Sequence, residues 1–332
     1  MRRYLLRGVG RRVAQRRVLI VGCGRLASEA ARLLRESAGA EDLCAGFVDP
    51  GEACVSLLPG PVLGGLEALA FLLERENLAI GEIWLALDEM PLERRFRLVR
   101  SLQETRVPVF DLPEPSLLPS LCLRFSRPRG LGAQLDAAKL RIKSTFDRSV
   151  AAFMLVLLSP LFLTLALLIR LDSSGPVLFR QPRHGRHGRV FEMLKFRSMQ
   201  HAREPCHAQA RPNDPRLTRI GRLMRRSSLD ELPQLINVLR GDMALVGPRP
   251  HPVVLNWEFV PRIPSLMQRH RIQPGITGWA QINGFRGETD TLEKMQKRLA
   301  HDLEYIENSS FRLDLRILLL TVVMGWRGAN AW

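Results

Sequence analysis

Ser149-Val-Ala-Ala-Phe-Met-Leu-Val-Leu-Leu-Ser-Pro-Leu-Phe-Leu-Thr-Leu-Ala-Leu-Leu-Ile169 carries no charged side chain. Its length meets the ~20 residues that cross a bilayer core, so a membrane helix over 149–169 is expected in place of a buried soluble one. Ser159-Pro160 interrupts it midway, where proline removes a backbone donor and bends the helix. Cations flank both ends: Lys139, Arg141, Lys143 and Arg148 before, Arg170, Arg180, Arg183 and Arg186 after. A spanning helix shows a one-sided bias, so both ends here prefer the cytoplasm. A helix that breaks at Ser159-Pro160 and returns to the same leaflet satisfies both observations.

Upstream, residues 17–112 alternate short apolar runs with amphipathic stretches, the pattern of a βαβ domain with a parallel sheet. Strands are predicted at Val18–Val21, Cys44–Val48, Ile83–Leu87 and Val107–Phe110. Between the first two lies Gly22-Cys-Gly24-Arg-Leu-Ala27, and Asp49 closes the second. In a Rossmann unit such glycines admit a phosphate at a helix N-terminus and the acid contacts ribose. The alternative is a Rossmann-like turn that binds nothing or serves regulation alone. Residues 113–140, with Pro113, Pro115, Pro119, Pro128 and Gly130, are expected as a linker between domains 1–112 and 141–332.

Downstream, Arg222-Leu-Met-Arg-Arg-Ser-Ser-Leu-Asp230-Glu231-Leu-Pro233-Gln-Leu-Ile-Asn-Val-Leu-Arg-Gly241 is the most informative segment. Leu232, Leu235, Ile236 and Leu239 repeat at helical spacing, Gly241 is a natural stop, and Pro233 places the helix start near Asp230. Asp230 as an N-cap, with Ser228 and Glu231 as a capping box, is the plain structural alternative. Arg222, Arg225 and Arg226 before it and Gly247-Pro-Arg249-Pro250 after it favour a phosphoryl-transfer site, since guanidinium groups match phosphate oxygens. The carboxylate would be a nucleophile or a magnesium ligand, and spacing does not separate the two.

Five motifs in order now carry a resemblance: Gly175-Pro-Val-Leu-Phe-Arg-Gln181, Lys195-Phe-Arg-Ser-Met199, Ser228-Leu-Asp-Glu-Leu-Pro-Gln-Leu235, Leu245-Val-Gly-Pro-Arg-Pro250 and Pro274-Gly-Ile-Thr-Gly-Trp-Ala-Gln281. The region from about 140 to 330 resembles the bacterial sugar transferases, the monotopic polyprenyl-phosphate glycosyl-1-phosphate transferases. The resemblance implies a re-entrant helix and a mainly α catalytic domain at the cytoplasmic face of a bacterial inner membrane, here behind an α/β Rossmann-like domain. It implies that Asp230 attacks the sugar-bearing phosphate of a UDP-sugar, releases UMP and passes the sugar phosphate to undecaprenyl phosphate. That would be the first membrane step of exopolysaccharide, capsule or O-antigen synthesis. Glu231 completes the dyad, Mg2+ is held at Asp230, Arg225 and Arg249 match phosphate-holding positions, and Lys195 lies in the same region. Gln281 and Trp279 are candidates for the nucleotide pocket, with core packing as the alternative for Trp279. His301-Asp302 stands where the family pattern has Tyr-Asp, which leaves donor selection there open. No run of membrane helices precedes Arg17, so attachment through the re-entrant helix is expected.

The 332 residues carry 49 Lys and Arg against 33 Asp and Glu, a formal charge of +16. The length suggests two domains, and the charge suggests a polyanionic partner. Nucleic acid is disfavoured by 6% aromatics and no reading module. A short-chain oxidoreductase would need Tyr-xxx-Lys, but the tyrosines are Tyr4 and Tyr305, and Ser309 follows the latter. The odd set Cys23, Cys44, Cys54, Cys122 and Cys206 fits reduced thiols. The basic start Met-Arg-Arg-Tyr reaches no run of signal-peptide length before Arg11. His184, His187, His201 and His207 are spaced as a solvated loop more than as metal ligands, and Arg183 to Arg189 is either an anionic-lipid contact or an exposed loop. The tail from Leu313 to Trp326, with Trp332, reads as an interfacial helix, a core helix being the alternative. A homo-oligomer remains open.

Overall fold

A computed structural model describes residues 17–38, 43–51, 58–74, 78–88, 90–103, 105, 107–122, 131–200, 214–263, 265–287, 289 and 291–326. The chain divides into two compact units, Met1–Arg127 and Pro128–Trp332. The expected N-terminal start, His201, His207, Cys54, Cys206 and Trp332 lie outside the described residues.

The first unit is a five-stranded parallel sheet in the order β3-β2-β1-β4-β5. Its strands are β1 (Arg17–Val21), β2 (Cys44–Asp49), β3 (Val62–Gly65), β4 (Ile80–Leu85) and β5 (Val109–Asp111). The central strand reads Arg-Val-Leu-Ile-Val with four buried residues, the continuous apolar run of a strand covered on both faces. Helices α1 (Arg25–Ala38), α2 (Leu69–Glu74), α3 (Leu92–Leu102) and α4 (Leu118–Cys122) complete the unit. On α1, Ala27, Ala30, Ala31 and Leu34 are buried at helical spacing. Strand β3 was not predicted, because Pro-Val-Leu-Gly-Gly has no run long enough to signal one. Strand β4 starts three residues and ends two before its predicted bounds, and β5 starts two residues and ends one after them.

In the second unit α5 (Leu131–Leu157) and α6 (Ser159–Asp172) meet at a bend of 63°. The break falls at Ser159-Pro160 as predicted, but the helical pair reaches well beyond 149–169 at its N-terminal end. It also starts inside the stretch expected as linker, and residues 115–122 of that stretch are a 3-10 turn followed by α4. Among the described residues no single helix is long and apolar enough to cross a membrane, whereas the bent pair passes together. Pro160 has no N–H to give, and the Ser159 hydroxyl donates to the Val156 carbonyl at 2.8 Å in its place. Val156, Leu163 and Leu171 are 74–76% exposed, an apolar surface without protein cover.

Two small sheets, which a mainly α reading missed, shape the rest. The hairpin of β6 (Leu178–His184) and β7 (Val190–Phe196) is antiparallel, and β8 (Ala244–Val246) pairs in parallel with β9 (Gly275–Thr277). Between them run α7 (Arg219–Arg226) and α8 (Gln234–Arg240). Gly241 ends α8 at φ 84°, the left-handed stop expected of it. Then follow α9 (Val253–Phe259), α10 (Trp279–Ile282), α11 (Leu292–Glu307) and α12 (Phe311–Trp326). Helix α12 buries Ile317 and leaves Leu319 and Val322 exposed. Its Asp314 accepts from Lys143 at 2.5 Å and from the Tyr305 hydroxyl at 2.5 Å. Lys143 is thus an internal ion-pair partner as well as a flanking cation.

The glycines of two motifs meet here. A Cβ on Gly247 would strike Gln273 O, and one on Gly275 would strike Gly247 N. That approach lets the Gly247 amide donate to Thr277 O at 2.9 Å and the Gly275 amide to Pro248 O at 3.0 Å. The loop Gly247–Pro250 is therefore clasped to the segment Pro274–Gly278.

Candidate active site

Asp230 does not cap a helix. Ser228 takes a left-handed conformation (φ 56°) after α7 ends, and Leu229–Glu231 form a separate 3-10 turn before Pro233 and α8. No side-chain cap bond forms on that turn. The alternative capping box is also absent: Ser228 Oγ accepts from Arg286 Nη2 at 2.7 Å, and the Glu231 carboxylate faces elsewhere. Leu229 and Leu232 on either side pack against Leu165, Ile169, Phe196 and Met224. The turn carrying the two acids is thereby seated on α6.

Within that turn the acids occupy opposite electrostatic states. Glu231 accepts from Lys195 Nζ at 2.9 Å, from Arg249 Nη1 at 3.0 Å and from Arg249 Nη2. Burial alone would raise its pKa, but Arg249 and then Lys195 overcome that and hold it well below the usual carboxylate range. Asp230, 6% exposed, receives no hydrogen bond at its carboxylate among the described residues. Burial pushes its pKa up, against the pull of Lys195, while the charge of Glu231 adds to the rise. Burial lowers the Lys195 pKa, with Glu231 opposing.

Arg225 is the one arginine of α7 turned inward: its Nε donates to Ser198 Oγ at 3.0 Å and its charge acts on Asp230. Arg222 and Arg226, read from sequence as part of the phosphate site, are exposed instead. Arg226 projects about 100° away from residue 225, and Arg222, a turn earlier on the same side of the helix, stays in solvent. Gln281 Nε2 donates weakly to Ile276 O at 3.4 Å, and its buried Oε1 has no partner among the described residues. Trp279 packs on the core beside Val246 and Tyr305 and donates to Glu304 at 2.9 Å.

Sequence reasoning missed Arg183, Ser198 and Arg286. Arg183, read as part of either an anionic-lipid contact or an exposed loop, turns inward from β6 and donates to Pro250 O at 2.6 Å; burial, then Arg249, push its pKa down to about 9. The signal was available in His184-Gly-Arg-His-Gly188 ahead of Val190-Phe191, a hairpin turn that sets alternate residues of the strands inward. His184 is likewise not part of a solvated loop. It is fully buried and bonds Asn256 Nδ2 at 2.8 Å. Among the described residues no three His, Cys, Asp or Glu side chains cluster as a metal cage.

Residues 138–328 match the family described as Bacterial sugar transferase. The chain belongs to that family. It is 42% identical over 260 residues to UDP-glucose:undecaprenyl-phosphate glucose-1-phosphate transferase of Escherichia coli (strain K12), covering 76% of this chain and 56% of that protein. It is 48% identical over 206 residues to the protein of the same name from Caulobacter vibrioides, covering 61% and 76%. Exopolysaccharide production protein PSS of Rhizobium leguminosarum bv. phaseoli is 45% identical over 191 residues, covering 55% and 94%. The chain thus spans little more than half the length of the Escherichia coli relative. The match contains every element that builds the Asp230 site, and Tyr305 is locked to Asp314 and the Val246 carbonyl.

The glycine turn of the first unit is occupied from within. The Leu26 amide at the start of α1 donates to Asp88 Oδ2 at 3.3 Å and Oδ1 at 3.4 Å, and a Cβ on Gly24 would strike the same carboxylate. Asp49 accepts from the Gly51 amide at 2.7 Å. Gly22, Gly24 and Asp49 therefore stand in the expected places, with an internal carboxylate where a phosphate would lie.

Proposed function

We propose that the second unit moves a sugar 1-phosphate from a UDP-sugar, UDP-glucose by its relatives' names, to undecaprenyl phosphate as the first membrane step of exopolysaccharide, capsule or O-antigen synthesis. The observation that carries this is the split between the two acids. Glu231 is spent on holding Lys195 and Arg249, while Asp230, beside the same cations, has no side-chain hydrogen bond among the described residues. Its carboxylate attacks the sugar-bearing phosphorus, the phosphoanhydride bond breaks and UMP departs with the electron pair. The acceptor phosphate oxygen then attacks the same phosphorus and frees Asp230. Arg249, Arg225 and Lys195 offset charge on the phosphate oxygens.

Mg2+ fits as a partner of Asp230 and the donor phosphates, because magnesium is commonly held by one or two carboxylates plus substrate oxygens. It would lower the charge that Asp230 must approach. The bent pair α5–α6 enters and leaves one leaflet, with both units in the cytoplasm, and its exposed leucines face lipid.

The test is UMP release from labelled UDP-sugars by reconstituted protein with Mg2+ and undecaprenyl phosphate. No release with any common UDP-sugar sinks the reading. Asp230→Asn abolishes both turnover and label retained on protein; normal labelling in that variant contradicts the nucleophile assignment.

A further inference from the structure

His301-Asp302 lies in the region where the family pattern would place donor selection, yet Asp302 is sealed from any substrate. It sits on the buried face of α11, 1% exposed, and pairs with Arg269 at 2.7 Å. Arg269 is 1% exposed and its Nη2 also donates to the Arg249 carbonyl at 2.7 Å. Its Nη1 lies 2.7 Å from His251 Nε2, the ring two residues beyond Arg249. The neighbouring carbonyl, Pro250 O, is held by Arg183. The backbone on both sides of the Arg249 peptide is thus fixed by guanidinium groups, and its own guanidinium is left aimed at Glu231.

We propose that Arg269, held by Asp302, is a positioning residue for Arg249, so that this pair governs donor-phosphate binding and not the choice of sugar. A buried charge pair of this kind is costly to form and costly to break. Here it is set against one carbonyl, that of the residue whose side chain completes the site. The inference rests on the reading of Arg249 as a phosphate-binding group.

The test is a double-mutant cycle on kcat/KM for UMP release by the full chain, with Arg249→Ala, Arg269→Lys and both together. Arg269→Lys keeps the charge but has one nitrogen in place of the fork whose Nη2 meets Asp302 and the Arg249 carbonyl and whose Nη1 faces the His251 ring. It is expected to lower kcat/KM about tenfold, mainly through KM for the donor, and to add no more than about twofold on the Arg249→Ala background. The ratio of kcat/KM between UDP-glucose and UDP-N-acetylgalactosamine stays as in the wild type. Multiplicative effects, or a changed sugar ratio, overturn the proposal. Hydrogen–deuterium exchange provides the arm that does not depend on activity: Arg269→Lys and Asp302→Asn should raise uptake in peptides over 245–252 while α5 and α6 stay as in the wild type. Unchanged uptake in that loop, or uptake raised throughout the unit, overturns it. A wild type that releases no UMP instead removes the functional reading, and the exchange result then decides the positioning alone.

Discussion

Asp230→Asn and Glu231→Gln should shift the stability of the catalytic unit in opposite directions, although the residues are adjacent. The Glu231 side chain is 15% exposed and its partners Lys195 and Arg249 are 19% and 21% exposed. Glutamine keeps one acceptor oxygen, so about two charge-assisted bonds of ~1.5–3 kcal/mol are lost. Water reaching the released cations offsets part of that, leaving a net loss of ~2–4 kcal/mol, below the ~3–5 kcal/mol of a fully buried pair. Asp230→Asn removes a charge that the site disfavours, a gain of ~1 kcal/mol of the kind seen when function and stability trade. At ~2–4 °C per kcal/mol for a unit of this size, Glu231→Gln lowers Tm by ~5–15 °C and Asp230→Asn raises it by a few degrees. The assay is thermal unfolding in detergent near neutral pH. The pH dependence carries the sign. The folded pKa of Glu231 lies below its ordinary 4.5, so its stabilisation is complete above that pH and fades as pH falls through the folded value. The folded pKa of Asp230 lies above its ordinary 3.8, so its ionised form opposes folding above the raised value and the Asn gain vanishes in acid. Equal losses of Tm in both variants would refute the division of roles.

Because Asp230 must be ionised to attack, kcat/KM for UMP release should rise with pH through a midpoint above 3.8; a midpoint at or below that value removes the burial argument. Arg197→Ala strips the donors from the Ile169, Ser173 and Pro176 carbonyls and should cost ~2–4 kcal/mol, read as a Tm loss of several degrees; an unchanged Tm would show those carbonyls to be satisfied otherwise. Ser159→Ala combined with Pro160→Ala should let the bent pair straighten, so that labels before α5 and after α6 appear on opposite sides of the bilayer in part of the protein; labels on one side throughout would show that surrounding protein sets the bend. NAD titrated into the full chain should give no binding heat, since Asp88 fills the glycine turn, and stoichiometric heat would show that the carboxylate yields to a ligand.

The legible parts of this chain were those written in local pattern. The parallel sheet announced itself in Val18–Val21 and the glycine turn, and the bent helix pair in a charge-free run with one proline. The hairpin β6–β7 was hidden because its strands carry Arg180, Arg183 and Lys195, cations that read as surface until their partners are known. Which arginines of α7 belong to the site was equally unreadable. Arg222, Arg225 and Arg226 are alike in sequence, and only the packing of Met224 on Phe196 turns residue 225 inward. The cap reading of Asp230 failed for a conformational reason: a left-handed serine, unmarked by glycine or asparagine, ends α7 early and gives the acids a turn of their own.

That turn explains how α6 and the acid site share one short motif. Lys195 reaches Glu231; Phe196 packs against Phe162 with ring centroids 5.3 Å apart; Arg197 donates to the Ile169 carbonyl at 3.1 Å and the Ser173 carbonyl at 2.6 Å. Three consecutive residues therefore bind the dyad, the side of α6 and the C-terminal end of α6 in turn. The Asp172 carboxylate on that end accepts from the Ile220 amide at 3.0 Å, so α7, which delivers Arg225, starts from the same place. Under the proposed reaction, a lipid acceptor would bring its phosphate at the headgroup level to a phosphorus held by Asp230. A site hung on a flexible linker would have to search for that depth. Anchoring both the acid turn and its cations to α6 sets the depth once, and that is the work the Lys195-Phe-Arg197 run performs.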